Sequence, residues 1–525
     1  MDNIFKPPLC IVTKDKYDIL INNISIYQTT NPQQEIYNDL RTHPIDIHEG
    51  IIIVFGYDCG NTAKNLLKLY TNTIILILEP NLNLFYKNNI IVNSRLYIFD
   101  NIIALVKKAQ DVYTGKSNVH CLVSLHWDKL YKIDYIETVI QDLQIHLNNI
   151  HTVSNIQKRK PQWVTNIIRN LSNLNSTSDI KYLKNICKNK PIIICSPGPS
   201  LDKNIHLLKE IQNDIIIIGV NASYSILRSN GIKPHIVVSV ESFDLSSFFD
   251  NDMSDTILVM PYCANPSLRT LNFKKTFLFA PHSSFYATWA QKQLKETLTF
   301  STGNSVACTA FSLAVVMGAN PIILIGQDLA FSDNKIYASG SNVVVSSLNI
   351  DLEKGIYTKD INKNIYTPEE LESAGTEETQ DIFYIKGHNN TRVISRSDYV
   401  LFLSWFVQSA KNLKQTMPEL HLINSTEGGA YIEGFNHTPL ASILQKVNLQ
   451  PTEFRDTIKQ LPCANKQKRA TIELHRLYKI LNEKSYNLKK ESLIEGFLYK
   501  NKMEKPLKGL LNLIKKELKN HYLLT

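Results

Sequence analysis

The chain predicts an α/β fold, with a central Rossmann-like parallel-sheet domain, an N-terminal Rossmann-like α/β domain and a C-terminal helical domain. Three observations carry this expectation. Ile/Val-rich runs of strand length recur through the middle of the chain, most of them about 20 residues apart with helical character between, which is the rhythm of parallel strands buried on both faces. The runs end on glycine or polar residues: Ile215 to Val220 on Asn221, Ile236 to Val240 on Glu241, Ile322 to Ile325 on Gly326-Gln327-Asp328. Beyond Pro451 the pattern changes to Leu/Lys amphipathic stretches such as LKGLLNLIKKELKNHYLLT, the signature of exposed helices.

Taken in order, residues 1–165 form the first domain. Ile51 to Phe55 predicts a strand that leads through Gly56-Tyr57-Asp58-Cys59-Gly60-Asn61 into a helix, and Thr73 to Leu78 predicts a second strand ending in Glu79-Pro80-Asn81. This imitates half of a dinucleotide-binding fold, with a glycine turn and an acid placed for a ribose, although many α/β domains keep the shape without a ligand. The polar stretch LSNLNSTSDIKYLKNICKNK leads into the central domain, 166–435, and the helical domain occupies 436–525.

The central domain opens with PIIICSPGPS, Pro191 to Ser200, followed by LDKNIHLLKEI. An apolar run, a tight turn and a helix make a phosphate cradle. Gly198 allows positive φ and close backbone approach, Pro199 suits the start of a helix, and the Ser200 hydroxyl caps the helix or donates to a phosphate. A plain strand-to-helix connection has the same look. In a parallel sheet all strand C-termini share one edge, so Ser196, Ser200, Asn221, Glu241 and Asp328 converge there by topology. An insertion from Tyr337 to Asp381, polar and poorly periodic, reads either as a lid or acceptor-binding loop or as a plain surface loop.

Composition suits an enzyme of more than one domain. At 525 residues roughly two to four domains are expected. The eight cysteines show no C-x-x-C pair and no metal-ligand spacing, so they read as reduced core residues. The start, MDNIFKPPLC, lacks a signal-peptide core, and no apolar run approaches the about 18 residues of a membrane span, so a cytoplasmic location is expected. The net charge of +9 is concentrated in the C-terminal helices, either as a solvated face or as a dock for an acidic protein. No nucleic-acid-binding motif accompanies it.

The run GPSLDKNIHLLKEIQNDIIIIGVNASYSILRSNGIKPHIVVSVES resembles the central domain of the motility-associated factor (Maf) flagellin glycosyltransferases, the family carrying domain of unknown function 115. Gly198-Pro199-Ser200-Leu201, Asn221 and Gly231-Ile232-Lys233-Pro234 match its pattern, while His235 and Glu241 stand where that family usually has Asp. Ser301-Thr302-Gly303-Asn304-Ser305-Val306, then Gly326-Gln327-Asp328-Leu329, resemble segments shared with bacterial sialyltransferases that use CMP-sialic acid. Ile423 to Gly434 is similar to the family's closing N-x-T-x-G-G-A segment.

The resemblance implies a sialyltransferase-like central domain that moves a nonulosonic acid, pseudaminic or legionaminic, from its CMP-activated form to Ser or Thr hydroxyls of flagellin, a step in flagellum assembly and motility. It implies donor contacts at Ser196, Gly198, Pro199, Ser200, Asn221, Glu241, Thr302, Gly303, Asn304 and Ser305. The leaving phosphate needs charge stabilisation, for which Tyr262 and Tyr286 are further candidates. The acceptor hydroxyl needs a general base: His388, in the segment where sialyltransferases carry a histidine, with Asp328 as rival and His282 as a third candidate. No metal site is read, Mg²⁺ being the one ion held open. Two other classes remain: a pterin pyrophosphokinase using ATP and Mg²⁺, which the same fold resembles, and a flagellin-binding escort without catalysis.

Overall fold

The computed structural model describes residues 11–13, 19–21, 24–28, 31–42, 45, 49–80, 91–112, 118–125, 127, 162–174, 177–281, 285–303, 305–342, 345–352, 356–361, 379–447, 449, 453–463, 466–482, 516, 517 and 519. The chain divides into two compact units, Met1–Gln157 and Lys158–Thr525.

In the first unit β1 (Ile11–Thr13), β2 (Ile19–Ile21) and β3 (Ile24–Ser25) make a small antiparallel sheet. A parallel sheet follows, β4 (Gly50–Phe55), β5 (Thr73–Leu78), β6 (Leu96–Phe99) and β7 (Asn118–Val123), in the order β6-β5-β4-β7. Helices α1 (Pro32–Thr42), α2 (Asn61–Leu69) and α3 (Ile102–Val112) accompany these strands. Unbroken apolar runs are needed because both faces are covered. Ile52, Val54, Ile75 and Ile77 pack into one core, and Ile51, Ile53, Phe55, Leu76 and Leu78 into another.

The second unit begins with helix α4, residues 162–172, which the sequence division at 165 would have split. Its main sheet contains β8 (Thr177–Asp179), β9 (Ile192–Cys195), β10 (Ile216–Val220), β11 (Ile236–Val238), β12 (Ile257–Pro261), β13 (Lys275–Pro281), β14 (Thr299–Phe300), β15 (Ile322–Ile325), β20 (Leu422–Asn424) and β21 (Asn436–His437). The order is β14-β13-β12-β11-β10-β9-β15-β20-β21, with β8 beside β13, and every pairing is parallel. From β9 the chain moves outward strand by strand to β14, then returns to the other side of β9 as β15. The order reverses there, so β9 and β15 flank the switch point at which open α/β sheets place ligands. Helices α5 (Leu201–Ile211), α6 (Tyr224–Ser229), α7 (Phe285–Gln293) and α8 (Val306–Val316) connect these strands.

Tyr337 to Asp381 is not the irregular excursion its composition suggests. The strands β16 (Val345–Asp351) and β17 (Ile356–Ile361) join β18 (Thr379–Lys386) and β19 (Arg392–Arg396) in an antiparallel sheet. Leu348, Ile350, Tyr357, Ile382 and Ile394 pack with Phe331 and Ile336. The alternation is short and its outward residues are polar, which hides it from a reading by period. Helix α9 (Ser397–Thr416) leads from β19 to β20.

The described residues beyond 435 are built into the same unit. Strand β21 extends the main sheet, α10 (Leu440–Leu444) adds Leu440 and Ile443 to the core beneath β9 and β15, and α12 (Gln467–Asn482) packs on α7. From α11 (Phe454–Gln460), Arg455 donates to the Asp255 and Lys233 carbonyls at 2.8 Å each. Among the described residues no helix is long and apolar enough to cross a membrane.

Candidate functional site

At the switch point the loops after β9 and β15 are stitched together. Ser196 N–H donates to Ile325 O at 3.0 Å and Gly198 N–H to Gly326 O at 2.8 Å, while the Ser196 hydroxyl donates to Gln327 Oε1 at 2.6 Å. Asp328 then turns its carboxylate onto the start of α5. It accepts the Ser200 N–H at 3.1 Å, the Ser200 hydroxyl at 2.6 Å and the Ser332 hydroxyl at 2.8 Å. The helix N-terminus is thus occupied by an anion, as its dipole favours, and the anion is the protein's own.

This changes the reading of the glycine turn. Gly198 is not among the positive-φ glycines; a Cβ there would lie 2.1 Å from Asp328 Oδ2 and 2.5 Å from Gly326 O. The close approach it permits is to Asp328 rather than to an external phosphate. Ser200 has helical φ/ψ and makes no side-chain cap bond. The turn is also roofed, since Ala338 N–H donates to Pro197 O at 2.8 Å and Ser339 binds Asp202 through its N–H and hydroxyl. Burial pushes the Asp328 carboxyl up from the ordinary aspartate range, against the pull of its Ser200 and Ser332 donors.

Asn221 and Glu241 lie on the other side of β9, at the ends of β10 and β11. Asn221 is 8 % exposed. Just past β11, on the stretch that leads to Glu241, stands Ser239, fully buried, whose hydroxyl has no hydrogen-bond partner among the described residues. Buried hydroxyls normally find partners; this one is left without. No sequence motif points to Ser239; only its burial does. Glu241 is half-buried, and its backbone carbonyl accepts the Asn265 N–H at 2.9 Å.

The segment Thr302 to Ser305 supplies the start of α8, which packs across β9, β10, β11 and β15. As a βαβ crossover helix its N-terminus stands at the sheet's C-terminal edge. Ser305 caps it, accepting the Cys308 N–H at 3.1 Å. Gly303 has φ +53°, and a Cβ there would lie 2.5 Å from Cys308 Cβ and 3.0 Å from the Trp405 ring, so packing demands glycine. The Thr302 hydroxyl donates to Gly303 O at 3.3 Å. Asn304 and His282 lie outside the described residues, as does the Tyr286 side chain.

His388 is not brought to Asn221 and Glu241. Its ring stacks on His437 at 5.6 Å, and His437 on Tyr431 at 4.4 Å, with Lys386 Nζ 4.4 Å from the Tyr431 centroid. His437 belongs to β21, four strands from β10 in the sheet order, about 19 Å at the usual strand spacing. Tyr262, the other leaving-group candidate, is buried and donates to Glu296 Oε2 at 2.7 Å, and Lys466 joins that carboxylate to Asp179.

The departure at His235 is structural. His235 stands at the N-terminal end of β11, on the edge opposite the ligand side, and is fully buried. Its Nδ1 accepts the Ile217 N–H at 3.3 Å and its Nε2 faces Arg455 at 3.2 Å. Burial first, and Arg455 second, lower its pKa to about 3, so the neutral ring is the native form. An acid lost at this position removes nothing from the ligand edge.

The first unit repeats the self-filled turn. Asp58 accepts from Thr62 N–H at 3.0 Å and the Thr62 hydroxyl at 2.6 Å at the start of α2. Glu79, the expected ribose acid, accepts from Tyr57 N–H and Trp127 Nε1 at 3.1 and 3.2 Å. Both carboxylates are buried and face protein donors.

Among the described residues no group of three His, Cys, Asp or Glu side chains is arranged to hold a metal ion. A family model described as 6-hydroxymethylpterin diphosphokinase MptE-like matches residues 165–334. The chain is 28% identical over 125 residues to a 6-hydroxymethyl-7,8-dihydropterin pyrophosphokinase of Methanocaldococcus jannaschii, a match covering 23% of this chain and 52% of that protein. The chain therefore spans about half the length of the curated relative it matches. Among solved structures it is similar to the MAf glycosyltransferase of Magnetospirillum magneticum AMB-1, at 14% identity and a TM-score of 0.44, covering 98% of this chain and 91% of that one.

Proposed function

We propose that the second unit is a glycosyltransferase that takes a CMP-activated nonulosonic acid and transfers the sugar to Ser or Thr hydroxyls of flagellin. The observation that carries this reading is the placement of Asp328. A kinase acting on Mg²⁺-ATP needs carboxylate oxygens turned to the metal. Here the acid at the switch point faces three protein donors. A CMP leaving group instead needs neutral, preorganised donors. The Asn221 amide and the N-terminus of α8 are groups of that kind, and the motif resemblance from Gly198 to Gly434 supports the same reading.

In this reading the nucleotide lies against Asn221 and Glu241 and its phosphate against the start of α8, while the Ser200 turn shapes the site from beneath. The acceptor proton goes to a group on this side of the sheet rather than to His388.

The pyrophosphokinase reading has its own observation, the MptE-like match over 165–334. Calorimetric titration with CMP, CTP and ATP, each with Mg²⁺ and with EDTA, separates the two. Metal-independent CMP binding, followed by transfer to purified flagellin, supports the glycosyltransferase. Binding of ATP only with Mg²⁺ replaces it with the pyrophosphokinase, and absence of any nucleotide binding leaves the escort.

A further inference from the structure

Beside the Asp328 loop, where the Ser395 hydroxyl donates to Leu329 O and Phe331 N–H to Ile394 O, each at 2.8 Å, the small antiparallel sheet has a polar centre that neither reading uses. Arg396, the last residue of β19, keeps its side chain 11 % exposed and pairs with Asp398 through Nε at 2.7 Å and Nη2 at 2.9 Å. Its guanidinium lies 4.0 Å from the Tyr399 ring centroid. The same charge acts on the Tyr337 and Tyr357 hydroxyls, opposing the upward pull of burial on both. Asp398 remains 43 % exposed on its side chain, and Tyr337 and Tyr399 are half-buried. The group therefore has a closed back and an open front.

Stability does not explain it. A partly buried Arg–Asp pair contributes little net folding energy, because desolvation offsets the attraction. The surrounding cluster of Phe331, Ile336, Tyr357 and Ile382 is otherwise apolar. What the pair does provide is a fixed, planar set of donors and acceptors, bounded by aromatic rings that present flat apolar faces. With Asp398 balancing Arg396, the pair is not cationic, so it disfavours a phosphate.

We infer that Arg396, Asp398, Tyr337 and Tyr399 form a carbohydrate subsite that takes the hydroxyl-bearing face of a sugar ring. Vicinal hydroxyls donate to Asp398 and accept from Arg396 or the Tyr337 hydroxyl, and the ring's C–H face lies on Tyr399. This rests on the glycosyltransferase reading for the identity of the ligand, and it assigns the sugar half of the donor where the previous assignment concerned the nucleotide half.

The test compares CMP with CMP-N-acetylneuraminic acid by calorimetric titration of the full chain, beside Asp398→Asn and Tyr399→Leu, with circular dichroism confirming that each variant is folded. The wild type is expected to bind the CMP-sugar at least tenfold more tightly than CMP, and Asp398→Asn to remove that margin while leaving CMP affinity unchanged. A margin that survives in Asp398→Asn, or an equal loss for both ligands, overturns the subsite. If the wild type binds neither nucleotide, the CMP-donor reading fails by itself. Saturation-transfer NMR with free N-acetylneuraminic acid then decides the subsite: a signal lost in Asp398→Asn upholds it, and no signal in the wild type overturns it.

Discussion

Ser200 holds Asp328 twice, through its backbone N–H at 3.1 Å and its hydroxyl at 2.6 Å, and this pair organises the ligand edge. The residue after Asp328 is Leu329, at φ +51°, and its carbonyl accepts the Ser395 hydroxyl at 2.8 Å. Phe331 N–H in turn donates to Ile394 O at 2.8 Å. Strand β19, and with it Arg396, is hung on the loop that Ser200 and Asp328 fix. Positive φ at a leucine is strained backbone of the kind that persists only where its surroundings impose it.

Gly198→Ala is expected to destabilise the second unit by at least about 2 kcal/mol, because the new Cβ meets a charged oxygen and a carbonyl that cannot both retreat. Asp328→Asn should cost a similar amount, since an amide nitrogen would face the Ser200 donors. Denaturant unfolding measures both; a change below about 0.5 kcal/mol for either contradicts the packing described.

Ser239→Ala and Ser200→Ala should behave in opposite ways. Removing the orphan hydroxyl at 239, which is fully buried, leaves stability unchanged or slightly raised, with CMP affinity within about threefold. Ser200→Ala should lower the melting temperature and leave CMP affinity within about threefold. A tenfold or greater loss of CMP affinity in Ser200→Ala would return the phosphate to the Ser200 turn.

His388→Ala is expected to retain turnover within about threefold, because a proton acceptor must stand within about 3 Å of the hydroxyl it serves. Single-turnover transfer assays read this directly. A fall of about a thousandfold would restore His388 as the base and refute its separation from the Asn221 side of the sheet.

His235 makes stability depend on pH in a defined window. Its native pKa is depressed to about 3 by burial and by Arg455, against about 6.5 in the unfolded chain. Between these values the unfolded state holds one more proton, so stability is full above about 6.5 and falls as pH drops, with a slope approaching 1.4 kcal/mol per pH unit, an order-of-magnitude figure. His235→Gln, which retains an acceptor for Ile217 N–H, should flatten that part of the curve. An unchanged slope would show that His235 is not buried in its neutral form.

Much of the fold was legible in the sequence. Runs such as Ile192 to Cys195 and Ile215 to Val220 could be placed because a strand covered on both faces must be apolar at every position. The small sheet was missed because Val345–Asp351 and Ile356–Ile361 are short and rich in polar residues, and the join of β21 to β20 because a two-residue strand has no period at all. At the site, the convergence of Asn221, Glu241 and Asp328 on one edge followed from parallel topology. The separation of His388 from Asn221 did not, since it depends on the strand order after β15.

By itself the sequence determined the chain's repeated strand–turn–helix plan, the edge on which polar residues gather, and a glycine turn at 198; it also showed a glycine at 303 within a motif. Tertiary structure decided what those glycines are for. A missing Cβ permits close approach without naming the visitor, and only the three-dimensional arrangement shows that Asp328 and Cys308 fill the space. It likewise decided that His235 faces Arg455 and that Ser239 is left without a partner. Hydrogen bonds and burial between residues far apart in the chain are set by strand order and packing, which local residue patterns do not encode.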